Sequence, residues 1–265
     1  MSVFNPNELL LKAVRSVEEY DPNTMELTGR YSKPEEPSLK FESSGVEVTD
    51  AFGIAIHTFY NAQKGTFSFT NSLFSLDLFA SQCGANKEIA SVSNKITTPI
   101  SEVLDISSDH TVTLSHIPVG ATGAEVKFVK TIEKNNYITA TYEVSATPGE
   151  GKFTVDAATK KITLPDDVTG RAFVQYKADL TSAVKVTKGT DDTPKVRVLM
   201  INATFCDPCN ANNEYSGVIY CTRAQIDPSS VEVGLKPDSK HSVIYKLNKE
   251  YCDDKDTLCD FIVWE

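Results

Sequence analysis

Hydrophobic and polar residues alternate in short runs along most of this 265-residue chain. The runs are rich in β-branched and aromatic side chains and are broken by clusters such as D-P-N-T, K-P-E-E-P, P-G-E-G and K-P-D-S-K. A period of two punctuated by turn residues predicts strands and short connections. The chain therefore reads as mainly β, with roughly a dozen strands in one sandwich or two.

The densest pattern lies at residues 45–85. Val46, Val48, Ile54 and Ile56 alternate with polar or small neighbours, and Gly53 marks a bulge or bend in that strand. After the polar break N-A-Q-K-G, Phe67 and Phe69 alternate with Thr66, Ser68 and Thr70 in a second strand. Asn71 or Ser72 is placed to cap a helix in which Leu73, Leu76 and Phe79 or Ala80 share a face, with Gly84 as its stop. It is the one helix the pattern supports strongly.

Upstream, Leu10, Ala13, Val14 and Val17 fit a helical stripe, but D-P-N-T at 21–24 is a type I turn followed by the strand-like M-E-L-T-G-R-Y. A hairpin over residues 14–31 is the preferred reading, with Pro34 and Pro37 ending the pairing because they lack an N–H. Residues 1–44 form an N-terminal arm, and residues 45–265 the main domain. Downstream, residues 103–106 and 111–117 flank the turn S-S-D, and further alternating segments follow through the apolar K-V-R-V-L-M-I-N-A-T-F to the final C-D-F-I-V-W. An inserted β module of immunoglobulin-like character fits within residues 102–194. No repeat period is evident.

Composition narrows the classes. The formal charge is −10, with 26 basic against 36 acidic residues and no basic cluster. Binding that draws on counterion release from nucleic acid needs a basic stripe, so a DNA-gripping role is not expected. The opening M-S-V-F-N-P-N-E lacks a basic start and an apolar run, so no signal peptide is expected. No apolar run is long enough for a membrane helix. A cytoplasmic site of synthesis follows, and there the six cysteines read as thiols or metal ligands.

The order of features resembles the major tail proteins of long-tailed bacteriophages. The residues that carry the resemblance are V-E-V-T-D-A-F-G at 46–53 and the strand and helix T-F-S-F-T-N-S-L-F-S-L-D-L-F-A-S-Q-C-G at 66–84. K-I-T-L-P-D-D-V-T-G-R-A-F-V-Q-Y at 161–176 and the late segment 224–247 add to it. The resemblance implies a β-sandwich flanked by one short α-helix, with hairpins that join those of neighbours into an inner β-barrel. It implies a structural virion protein and no enzyme: a tail tube subunit in stacked hexameric rings that form a DNA conduit. DNA would pass through without specific binding, past an acidic lumen that repels phosphate. Tape-measure and tail-end proteins are the implied partners, the virion tail the implied location, and the host cytoplasm the place of assembly. No cofactor is implied. On this reading Val46, Val48, Ile54 and Ile56 hold one strand face, the helix from Ser72 braces it, and Glu47, Thr49, Ser68 and Thr70 face the lumen or a neighbour. The other readings are a capsid decoration or immunoglobulin-like adhesin, and a zinc-binding β module.

The zinc reading rests on Cys206 and Cys209 in C-D-P-C, joined by Cys221 and either Cys252 or Cys259. No second CxxC pair and no nearby histidine accompany them, so thiols at strand ends are the simpler expectation. His57, His110, His116 and His241 form no recognised constellation. Gly120 and Gly123 bound a turn, and P-G-E-G-K at 148–152 lacks the Ser or Thr of a P-loop and reads as a hairpin turn. Asp253, Asp254 and Asp256 lack the spacing and glycine of an EF-hand loop and read as a solvated acidic loop.

Overall fold

The structure is a computed structural model that describes residues 8–120, 126, 128–133, 135–210, 212–231, 233–234, 236, 240–250 and 256–265. Its first elements are β1 (Leu10–Tyr20), β2 (Leu27–Ser32), β3 (Glu35–Glu42), β4 (Gly45–Thr49), β5 (Ala55–Tyr60), β6 (Lys64–Asn71), α1 (Leu76–Cys83) and β7 (Lys87–Ile89). Then come β8 (Ile96–Asp105), β9 (Thr111–Thr113), β10 (Phe128–Ile132), β11 (Ile138–Val144), β12 (Lys152–Asp156), β13 (Lys161–Thr163), β14 (Arg171–Leu180) and β15 (Val184–Val186). The last strands are β16 (Val196–Cys206), β17 (Glu214–Ile226), β18 (His241–Leu247) and β19 (Asp260–Trp264). Among the described residues the protein is mainly β with one short α-helix.

The chain divides into two compact units, residues 1–87 with 186–265 and residues 88–185. Its two crossings between them pair with each other as the ribbon β7–β15. The second unit thus starts and ends earlier in sequence than the expected 102–194 span.

In the first unit the strand order is β2-β1-β16-β17-β18-β6-β3, with β19 also on β17. The expected arm is no separate arm, because β1, β2 and β3 all belong to this sheet. The β1–β2 hairpin turns at residues 21–24, where the Asp21 carboxylate accepts from the amides of Asn23 and Thr24 at 2.9 and 3.1 Å. Pairing also continues past Pro34 and Pro37. β3 is an edge strand, and a register shift between Glu35 and Ser38 accommodates Pro37.

The sheet curls until β2 at one end lies over β6 near the other. Tyr31 on β2 lies 5.6 Å from Phe69 on β6, ring centre to ring centre, although four strands separate them in the order. Phe67, Phe69 and Tyr245 continue the aromatic cluster, with Val17, Leu78, Leu199, Ile201 and Val243 around it. Helix α1 packs on this curled sheet. Ser75, the N-cap, accepts from the Leu78 amide, so the cap falls a turn later than the expected Asn71 or Ser72. Leu73 is consequently exposed, and Leu78, Ala80, Gln82 and Cys83 form the buried face. Gly84 ends the helix with φ +67°, and a Cβ there would lie 1.9 Å from the Thr193 carbonyl oxygen.

Inside the curl sits Glu19, fully buried on β1. Its carboxylate accepts from Ser81 Oγ of α1 at 2.6 Å and from the Tyr245 hydroxyl of β18. One side chain thereby ties β1, β18 and the helix. Burial raises its pKa, against the hydrogen bonds from Ser81 and Tyr245 and the field of Arg197, which lower it.

In the second unit the order is β8-β14-β10-β11-β12-β13-β9. Phe153 and Ile162 pack with Val129, Ala172, Val174 and Tyr176 in one core, so strands from the two ends of the order face each other as in a sandwich. The chain after β9 bridges back to β14 at Pro118 and Ala178. The expected S-S-D turn is present, with the His110 amide donating to the Ser107 carbonyl at 3.0 Å, but the strands that flank it part, β8 joining β14 and β9 joining β13. One sequence expectation fails here. The P-G-E-G-K turn leads into a short parallel pairing of β11 with β12, not a hairpin.

A raised carboxyl pKa makes folding favour the protonated form. The stabilisation from Glu19 is therefore complete below the ordinary carboxyl value and is lost as pH rises through the raised folded-state value. Urea titrations across pH are expected to show this loss in the wild type and not in Glu19→Gln. Glu19→Leu strands the hydroxyls of Tyr245 and Ser81 and is expected to lower stability by about 1–3 kcal/mol for each group left unpaired.

Candidate assembly surface

The stretch expected to be one bent strand is a separate hairpin. β4 and β5 pair antiparallel with each other and with no other described strand. Asp50 and Gly53 cause the reversal. The Asp50 carboxylate accepts from the amides of Phe52 and Ile54 at 2.8 and 2.9 Å, its carbonyl accepts from the Gly53 amide at 3.1 Å, and Gly53 takes φ +81°. At the base, the Asn61 amide donates to the Ser44 carbonyl and Ser43 Oγ donates to the Asn61 carbonyl, at 2.8 and 2.6 Å. A Cβ at Gly45 would meet the Thr58 side-chain methyl at 2.7 Å, so a larger residue there would push that side chain aside.

The hairpin buries almost nothing within the chain. Val46, Val48, Ile54, Ile56, Phe59 and Tyr60 are exposed, and Phe52 at the tip is 90% exposed. The expectation that Val46, Val48, Ile54 and Ile56 hold one strand face is overturned, because Val46 and Val48 share a face with Phe59 and His57 while Ile56, next to His57, falls on the other. Pairing of Val46 with Phe59 and of Val48 with His57 makes one face apolar and aromatic, with the His57 and Phe59 rings edge to face at 4.5 Å. Glu47 pairs with Thr58 on the other face. An isolated two-stranded hairpin is marginal in water, and an apolar patch of this kind marks a contact surface.

Of the four polar residues singled out from sequence, Glu47 and Thr49 lie on this hairpin, whereas Ser68 and Thr70 lie on β6 of the large sheet. The two pairs therefore occupy different sheets. Ser68 pairs with Ile244 and Thr70 with Ser242, on the side of β6 opposite the buried Phe67 and Phe69. Helix α1 does not brace the hairpin. Its polar anchors reach Glu19 of β1 and, through Gln82, the Ser242 carbonyl of β18. Sequence reasoning passed over Phe52, Phe59 and Tyr60. The signal was present, because D-A-F-G places an aspartate and a glycine at the two positions a tight reversal uses.

The cysteines proposed for zinc are not brought together. Cys206 pairs with Glu214 and Cys221 with Leu199, seven residues apart along β17, which is about 23 Å at the rise of a strand. Cys209 is exposed in the turn after β16. Cys252, Asp253, Asp254 and Gly123 lie outside the described residues. Asp256 is paired with Lys249 at 2.9 Å. Among the described residues no group of three or more His, Cys, Asp or Glu side chains is arranged to hold a metal ion. His57 lies on the hairpin, while His241 is buried on β18, bonded to Gln82 and stacked on Phe74 at 5.4 Å. Burial lowers its pKa. His110 contacts the Val168 carbonyl at 3.0 Å in the second unit. No helix among the described residues is long and apolar enough to cross a membrane.

These observations define a mainly β protein whose most distinctive surface is an exposed, apolar, self-paired hairpin. No family model matches the sequence, and no curated protein matches it.

Because the hairpin packs on nothing else described, Phe52→Ser with Ile56→Ser is expected to change the unfolding free energy of the isolated chain by no more than about 0.5 kcal/mol. Leu78→Ala, inside the core, is expected to lower it by about 2–5 kcal/mol. Paired denaturant titrations check the contrast.

Proposed function

We propose that this chain is a structural subunit of a phage tail tube, assembling with copies of itself into hexameric rings that stack around a passage for DNA. The observation that carries the reading is the β4–β5 hairpin, whose apolar side chains are exposed in the single chain and would be covered by a neighbouring copy. A patch on one part of a subunit that fits a different part of the next makes a heterologous contact, and such contacts propagate into rings or open filaments. The edges of the large sheet at β2, β3 and β19 support the same reading, since edge strands are otherwise sites of uncontrolled pairing.

The charge agrees with a conduit that does not grip its cargo. At −10 the chain favours repulsion of phosphate over counterion-releasing contacts. The role proposed is mechanical, with no catalysis and no cofactor. An open filament has no intrinsic length, so the proposal includes tape-measure and tail-end proteins as partners and the virion tail as the location. The compact unit of residues 88–185 favours a second reading, a capsid decoration or surface adhesin built on a sandwich module.

Negative-stain electron microscopy of the purified chain with its assembly partners separates the two. Six-fold rings or tubes are expected from the wild type and not from Val48→Pro, which removes an amide from β4 and breaks the hairpin. Dispersed monomers or trimers that bind capsid or carbohydrate would support the second reading. Normal tubes from Val48→Pro would remove the hairpin from the assembly contact.

A further inference from the structure

Two cysteines outside the C-D-P-C pair meet across strands. β17 and β19 run antiparallel with Tyr220 opposite Asp260, so the next positions of that register set Cys221 against Cys259. The two side chains share one environment, since Cys259 packs against the core cluster that contains Cys221. Cys221 is fully buried in the core of the first unit, and Cys259 packs against that core while retaining partial exposure. Cys259 also lines a cleft of about 800 Å³ with Phe41, Leu258, Phe261 and others. Cys259 thus borders the cleft, whereas Cys221 is closed off within the core.

We propose that Cys221 and Cys259 form a redox-active dithiol, oxidised to a disulfide by small two-electron oxidants of the peroxide class. The less buried Cys259 reacts first. Its thiolate attacks one peroxide oxygen, the O–O bond breaks, and with proton uptake the products are a sulfenic acid and water. The Cys221 sulfur then attacks the sulfenic sulfur, the S–O bond breaks, and the hydroxide leaves with the Cys221 proton as a second water. Overall, two thiols and one peroxide give one disulfide and two waters when the oxidant is hydrogen peroxide, so two electrons pass from the sulfurs to the peroxide oxygens. Burial holds both thiols above the ordinary cysteine value, Cys221 being pushed up to about 12, which keeps the resting pair protonated and slow to react.

The bond joins the middle of β17 to the residue before β19. β19 is an edge strand that carries exposed Phe261, Ile262 and Trp264 and is held along β17 by its ladder. A covalent tie at one end suppresses its fraying. Oxidation therefore sets how firmly the C-terminal strand is docked.

The test uses the reduced full chain treated with hydrogen peroxide, then unfolded in denaturant with an alkylating reagent and mapped by mass spectrometry. A peptide linking Cys221 to Cys259, lighter by two hydrogens and reversed by dithiothreitol, is expected. Amide hydrogen exchange over residues 260–264 is expected to slow by about tenfold or more in the oxidised protein. Cys259→Ser should lose both effects, but the mapping of the wild type decides the matter without a variant. Full alkylation of Cys221 and Cys259 after oxidation, or a disulfide between Cys206 and Cys209 alone, would overturn the proposal.

Discussion

A carboxyl group with no access to water organises the larger unit. A curled sheet brings its inner face against itself, and an acidic side chain on that face must find hydrogen-bond donors or fail to fold. Glu19 finds them on two other elements, Ser81 of the helix and Tyr245 of β18. The aromatic contact of Tyr31 with Phe69 closes the same region. Non-directional apolar packing supplies the driving force, while the directional bonds to Glu19 select which strand and which helix face take part. The late N-cap at Ser75 follows from this choice, since the helix must begin where Ser81 reaches the carboxylate and Leu78 enters the core.

That closure leaves the β4–β5 hairpin out. The core of the first unit is completed by β6, β18 and the helix, and no inner position remains for Val46, Val48 or Phe59. A protein that keeps a structured hairpin with seven exposed apolar or aromatic side chains holds a surface whose favourable state is contact with something else. The turn chemistry at Asp50 and Gly53 and the clamp at Ser43, Ser44 and Asn61 give it a defined shape before that contact. Preorganisation of this kind reduces the ordering needed on association.

Much of the fold could be read from alternation. The first hairpin, β6, β10, β11, β14, β17 and β18 follow alternating runs, β16 and β19 follow continuous apolar ones, and Gly84 stops the helix where its sequence position suggests. Pairing was less legible, because it is decided over long sequence separations. The S-S-D turn between residues 103–106 and 111–117 was legible, but it does not say that β8 and β9 find their partners in β14 and β13. Glu19 shows a different limit. Counting two from Val17 puts Glu19 inward, but only the hydroxyls of Ser81 and Tyr245, distant in sequence, make that position tolerable. The hairpin was misread because an alternating strand looks the same whether a core or a partner covers it. The Cys221–Cys259 juxtaposition depended on the register of β17 with β19, which spacing alone does not reveal.

The central claim is that the exposed hairpin is an assembly element covered by a second copy of the chain. Light-scattering mass as a function of protein concentration, with the assembly partners supplied, addresses it most directly. A mass near six times the 29.1 kDa chain, or a distribution growing without a fixed end, is the result the account predicts. A constant mass of 29.1 kDa across the whole concentration range would contradict it.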